Sequence, residues 1–383
     1  MRALRLFLRF ITTVLAISLV IVILAGSFWY MWQDSKGDTP QIGYEITATM
    51  LEHAALGLYL RYRGEDVTAP ADSNDAREVP FVIEQGETVS TVAYHLKRMG
   101  LITDRELFRR IVQYHDVGGG VQAGVYSLQP NMTMEEIMRE LQHGRMPSVT
   151  ITIPEGWRVE QIGALLEKRG VLSAQEFAQV AHQPHTNYPF LQDRPPGSPQ
   201  GTIGFLFPDT YQLPQETTAE QVVDIMLQNW DRRVPDTLLE KAAEQDMSLY
   251  EIITLASIVE REAVRDDERA LIAGVYLNRL KKGMYLQSDP TVQYAKGYSE
   301  ETEKWWNPMI QEEAITVPSP YNTFLNPGLP PGPICNAGLT SIRAAIEPEP
   351  SEYLFFYHKG DGSHAFAVTY EEHLRNEELY GGR

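Results

Sequence analysis

Two glutamates carry the chemistry this sequence could do. In LASIVEREA, residues 255–263, an apolar run ends in Glu260 and Glu262. A carboxylate among apolar neighbours is costly unless it is paired, hydrogen-bonded or protonated. A carboxylic acid kept protonated beside a substrate is a general acid. The plain alternative is a helix that ends in solvent. Ser248 and Glu251 have capping-box spacing, so the helix is expected to start at Ser248. Apolar residues at 249, 252, 253, 255, 256, 258 and 259 cover more than one face, which predicts a largely buried helix. At about 100° per residue the two glutamates project roughly 200° apart. They cannot both enter one cleft. Glu262 continues the stripe of Leu255, Ile258 and Val259, where desolvation would raise its pKa. Glu260 falls with Ile253, Ala256 and Ser257 and could hold Arg261, Arg265 or a backbone group. Spacing leans towards Glu262 and leaves the choice open.

Downstream segments supply partners for such an acid. DERALIAGVYLNRLKKGMYLQSDPTVQYA predicts a second helix over 265–282 and then a polar turn. A proline-rich bend follows, PSPYNTFLNPGLPPGPICNAG, stiffened by its fixed φ angles. Long irregular segments inside a compact domain are usually functional. These offer Gln287, Ser288, Asp289, Tyr321, Asn322 and Thr323 for hydrogen bonds to a sugar. Taken singly, each reads as a satisfied turn residue. Beside a buried glutamic acid, the set reads as a carbohydrate cleft.

The elements that must position these residues occupy the rest of a chain long enough, at 383 residues, for two or three domains. Residues 1–9 carry Arg2, Arg5 and Arg9. Residues 10–32 carry no charge and end in Trp29, Tyr30 and Trp32. That run is long enough to span a bilayer and too long for the core of a signal peptide. A single-pass anchor is expected, with residues 1–9 cytoplasmic and the body extracytoplasmic. Residues 33–78 read as a juxtamembrane linker, helical over 44–63 and mobile near its end. Residues 81–102 and 151–172 form a weak internal repeat at an offset of 70, each a strand, a glycine turn and a glycine-closed helix. Thr103 with Glu106, and Thr133 with Glu136, have capping-box spacing. Residues 79–149 resemble LysM domains, which bind cell-wall glycan; a small α/β spacer is the equal alternative. Residues 217–246 are helical by period, and Gly118–Gly120 read as a turn.

Composition removes several function classes. A formal charge of −18 argues against nucleic acid as a partner. A single cysteine, Cys335, allows neither an intramolecular disulfide nor a multi-cysteine zinc site. No HExxH or G-x-S-x-G motif occurs; His182 and His185 read as polar-loop residues rather than metal ligands, and His358, His364 and His373 read as structural. No cofactor or metal is expected.

The chain resembles the MltG (YceG-like) family of endolytic murein transglycosylases. The matching segments are GFLFPDTY (204–211), LASIVERE (255–262), LNRL (277–280), LQSDPTVQY (286–294), YNTF (321–324), GLPPGPI (328–334) and the C-terminal YLFFYHKGDGSHAFAVTYEEHL. It departs at Ile203, where the family often has Glu, and at Ala337, where it often has Pro. The resemblance implies an α+β fold: an N-terminal transmembrane helix, a LysM-like module over 79–149, and a mixed α+β catalytic domain over 150–383. It implies a bacterial cell-membrane enzyme that cleaves the β-1,4 bond between N-acetylmuramic acid and N-acetylglucosamine in nascent glycan strands. The products would carry 1,6-anhydro ends, and peptidoglycan synthases would be partners. It makes Glu262 the catalytic residue. Glu260, Gln287, Ser288, Asp289, Tyr321, Asn322 and Thr323 are candidate substrate contacts. A non-catalytic wall-binding scaffold and a hydrolytic muramidase are the competing readings.

Overall fold

The computed structural model describes residues 26, 42–115, 121–143, 146–308 and 314–381. Apart from Gly26, the expected membrane span lies outside them, as do Gly118–Gly120. Among the described residues no helix is long and apolar enough to cross a membrane. The chain divides into two compact units, 1–66 and 67–383. In the first, α1 (Ile42–Tyr62) forms where helical spacing was read, and Met50, Leu58 and Tyr62 are exposed on it. The short α2 (Gly64–Thr68) follows.

The second unit opens on a small α/β module. β1 (Val79–Ile83) pairs antiparallel with β2 (Gly124–Leu128), placing Phe81 opposite Tyr126. Between them run α3 (Val89–Arg98) and α4 (Arg105–Tyr114), and α5 (Met134–His143) follows. Phe81, Leu96, Leu107, Phe108, Tyr126 and Leu141 form its buried interior. Thr133 and Glu136 close the expected capping box at α5. The box expected at Thr103 does not form. Asp104 caps α4 instead, because its carboxylate accepts from the Glu106 and Leu107 amides together. The end of the supposed mobile linker is also tied down. The Asp72 amide donates to Pro130 O, and the Asn131 amide to Asp75 O.

β3 (Ser148–Thr152) pairs antiparallel with β4 (Thr210–Pro214), and α6 (Val159–Lys168) and α7 (Ala174–Ala181) lie between them. The repeat is real in the backbone. Gly86 and Gly156 turn both copies at φ 88° and 73°, and Gly100 and Gly170 close both helices at φ 71°. The helical stretch 217–246 breaks into α8 (Ala219–Arg233) and α9 (Asp236–Ala243), because Pro235 holds Val234 extended. Next come α10 (Leu249–Glu262) and α11 (Arg269–Lys281). A 3-10 turn at Asp266–Glu268 takes the start of the expected second helix. α12 (Asp289–Lys296), α13 (Leu339–Ile346), the hairpin β5 (Phe355–His358) and β6 (His364–Ala367), and α14 (Tyr370–Tyr380) complete an α+β fold. α10 is the central helix, packed against α11 and α13. The module is bonded to this body. Gln228 Nε2 donates to Pro80 O, Arg232 Nη1 donates to Val82 O, and Arg98 pairs with Asp231 at 2.5 Å.

Candidate active site

Ser248 caps α10 through the reciprocal box with Glu251. The helix then crosses the core, with Leu255, Ile258 and Val259 fully buried. At its last turn three consecutive side chains diverge, as the 100° step requires.

Glu260 takes the inner path and is 9% exposed. Its carboxylate pairs with Arg269 at 3.3 Å and accepts from the Gly338 amide at 3.1 Å. Arg269 in turn holds Asp266 and Ser341. Of the partners weighed from sequence, only the backbone option is realised; Arg265 pairs with Asp267 at the surface. Glu260 is therefore a buried brace between α10, α11 and the start of α13. That corrects its candidacy as a substrate contact.

Glu262 takes the opposite path. Its Oε1 accepts from the Tyr276 hydroxyl at 2.6 Å and from Ser288 Oγ at 2.7 Å. No hydrogen bond among the described residues reaches Oε2. The residue keeps some solvent-accessible surface although protein atoms crowd its carboxyl group. Desolvation holds its pKa above the ordinary carboxylate value. The hydrogen bonds from Tyr276 and Ser288 pull the other way. Negative Asp289 adds to the rise and Arg279 opposes it. With Oε1 already accepting two bonds, the proton belongs on Oε2.

The holders of this acid are themselves held. Tyr276 is buried on α11, edge-on to Phe356 of β5. Ser288 sits in the turn before α12, which is latched to the 321–323 loop. The Gln287 amide donates to Thr323 O, the Ser288 amide donates to Thr323 Oγ1, and the Thr291 and Thr323 hydroxyls meet at 2.9 Å. Arg279 Nη1 fixes the other end by donating to Leu286 O at 2.7 Å. Gln287 is exposed at φ 49°, uncommon for a residue with a side chain. Asp289 is exposed beside it. Desolvation raises its pKa against the pull of His358.

The fold thus brings the two sequence-predicted polar segments together beside Glu262. Three of their members are corrected as sugar contacts. Asn322 is fully buried, its Nδ2 bonded to Ala314 O and Val317 O and its Oδ1 to the Phe324 amide. Thr323 is buried in the latch just described. Tyr321 is half-buried, with its ring 4.7 Å from that of Tyr294. Ser288, like Asn322, is fully buried, its hydroxyl given to Glu262, so it holds the acid and does not meet the sugar. Gln287, Asp289 and Tyr321 remain placed to meet a ligand.

Sequence reasoning missed Tyr276 and an aromatic wall. Arg158 lies 4.2 Å from the Tyr294 ring and 4.7 Å from that of Trp305. Arg261 lies 4.2 Å from the Trp306 ring, whose Nε1 donates to Gln161. The Trp-Trp pair within a polar stretch was the available signal. For Tyr276 there was none. Among the described residues, no group of three His, Cys, Asp or Glu could hold a metal ion. A cavity of about 420 Å³ lies elsewhere, between the module and α8–α9, and neither Glu262 nor its holders line it.

Fold and site together define a class: an α+β protein organised around one desolvated carboxylic acid held by two hydroxyls. The chain belongs to the YceG-like family, whose pattern matches residues 81–378. An endolytic murein transglycosylase of Bacillus subtilis (strain 168) is 31% identical to it over 330 residues, covering 83% of this chain and 89% of that protein. A protein of the same description from Streptococcus pneumoniae serotype 2 (strain D39 / NCTC 7466) is 31% identical over 335 residues. That match covers 81% of this chain and 60% of the pneumococcal one. The crystal structure of a YceG-like protein from Listeria monocytogenes aligns with a TM-score of 0.52 at 30% identity, over 78% of this chain and 99% of that one.

Proposed function

We propose that this chain is an endolytic murein transglycosylase in which Glu262 is the catalytic acid and base. The observation that carries the reading is the one-sided arrangement of Glu262: Oε1 bonded to Tyr276 and Ser288, Oε2 without a partner among the described residues, and a pKa raised by desolvation. Oε2–H gives its proton to the oxygen linking N-acetylmuramic acid to N-acetylglucosamine. The C1–O bond breaks as oxocarbenium character develops, and the leaving sugar departs as an alcohol. The carboxylate left behind is stabilised by the same two hydroxyls, whose bonds strengthen to a charged acceptor. It then takes the proton of the muramyl C6 hydroxyl as that oxygen closes on C1. The product is a 1,6-anhydro ring, and the acid is restored. An attacking hydroxyl within the substrate gains effective molarity and needs no second carboxylate to activate water. Tyr276 and Ser288 are positioning residues. Gln287, Asp289 and Tyr321 line the approach.

The same proposal assigns the remaining parts. Residues 10–32 anchor the chain in the bacterial cell membrane, with residues 1–9 cytoplasmic and the body outside. The 79–149 module is LysM-like; its strand–helix–helix–strand order and antiparallel pair support this. The enzyme acts on nascent strands beside peptidoglycan synthases and terminates their elongation. The test is digestion of purified glycan strands by wild type and Glu262→Gln. Anhydro ends that disappear in the variant are expected. Reducing ends would replace this reading with a hydrolytic muramidase, and no cleavage by wild type would replace it with a wall-binding scaffold.

A further inference from the structure

Two guanidinium groups face one indole, and among the described residues only one of them is ion-paired. Arg158 and Arg261 lie 5.6 Å and 4.2 Å from the Trp306 ring. Arg158 is spoken for: it pairs with Glu160 at 3.0 Å and donates to Tyr294 O. Among the described residues Arg261 makes no ion pair or hydrogen bond, and none of them partners its buried Nε. The C-terminus of α10 and the face of Trp306 favour a positive charge there. Neither supplies an acceptor for its five N–H groups. A partly buried cation left with no acceptor is costly unless a ligand completes it.

Its place in the fold indicates which ligand. Arg261 lies close enough to Glu262 to feel the charge of its carboxylate, so its subsite adjoins the bond to be cleaved. The wall it belongs to includes Tyr294 of α12, the helix whose leading turn supplies Ser288 to the acid. Gly156 makes room for it, since a Cβ at that position would lie 3.0 Å from Arg261 Nη1.

Resting on the transglycosylase reading, we propose that Arg261 is a carboxylate subsite that receives an acid group from the arm on C3 of the muramyl sugar. Two sources share this chemistry: the free lactyl carboxylate of a strand without peptide, and a carboxylate of the attached peptide. Both are forked acceptors that match a guanidinium. Arg261 then determines specificity for acidic over neutral substrate, while Glu262 performs the cleavage.

The test uses the full-length enzyme on four substrates: peptide-bearing and peptide-free strands, each with its carboxylates free or converted to amides. Wild type, Arg261→Met and Arg261→Lys are compared by kcat and KM. Met keeps the apolar stem against Trp306 and removes the charge; Lys restores it. For wild type, amidation is expected to raise KM about tenfold on at least one strand type, the scale of one charge-assisted contact. That strand type identifies the source. In Arg261→Met this preference should fall to within about twofold of none, and Arg261→Lys should recover part of it. A merely structural role would depress all four substrates alike and leave the ratio standing. If wild type cleaves acid and amide forms equally well, or Arg261→Met keeps the wild-type ratio, the subsite is wrong and the transglycosylase reading survives. If wild type cleaves none of the four, both fall together.

Discussion

The last turn of α10 carries the same functional group into two different surroundings. On the inner face Glu260 meets a permanent cation and a backbone amide. On the outer face Glu262 meets two neutral hydroxyls and retains one oxygen without a partner among the described residues. Both carboxyl groups have left bulk water. The difference is in what compensates for that loss. A fixed cation and a backbone amide make a structural brace. Neutral donors compensate only partly, so desolvation prevails and the pKa is raised. Two residues of sequence separate a brace from an acid, and the helical step is what keeps them apart.

Swapping amide for acid on each face is the strongest way to break this contrast. Glu262→Gln should lower the rate of glycan cleavage by about 10³-fold, within the range for loss of a general acid. Its folding stability should be unimpaired. A carboxyl group whose folded pKa is raised loses stability as pH rises from the unfolded pKa through the folded one, so above that window the amide removes a liability. Equilibrium denaturation of the same sample checks this. Glu260→Gln should do the reverse. It leaves Arg269 without its buried partner and should cost about 3 kcal/mol of stability, measured by urea unfolding. The surviving folded fraction should still cleave. A Glu260→Gln protein that is stable but inactive would invert the assignment of the two residues.

Smaller changes sharpen the account of Glu262 through its pH profile. Activity needs the protonated acid, so the rate should fall as pH rises through the Glu262 pKa. Ser288→Ala removes a donor that favours the carboxylate, and should move that limb to higher pH. Asp289→Asn removes a nearby negative charge, and should move it to lower pH. Opposite displacements in kcat/KM profiles are expected. Shifts of the same sign would mean that the limb belongs to another group. The smallest effect concerns the start of the helix that carries both glutamates. Ser248→Ala should cost about 1 kcal/mol in thermal or chemical unfolding, with the pH profile unmoved.

The sequence carried this contrast only so far. Helical angles separate Glu260 from Glu262, the Ser248–Glu251 spacing marks the start of α10, and the matched glycines of the repeat mark both turns. Those signals are local. What the sequence could not show is long-range: that Arg269 would reach Glu260, or that Tyr276 and Ser288 would converge on one oxygen of Glu262 from different elements. Asn322 and Thr323 misled for the same reason. A polar residue in a loop looks available to a ligand until the fold reveals that backbone carbonyls and a neighbouring hydroxyl already occupy it. Thr103 misled locally, because the adjacent Asp104 is a stronger acceptor for the same amides.

The latch between Thr291 and Thr323 has a bearing on when the enzyme becomes dangerous to its own cell. Ser288 is held beside the acid by a loop more than thirty residues further along. A chain with that loop undone bears the glutamate with one of its two governing hydroxyls unsupported. Cutting competence is thereby tied to the closing of the domain itself.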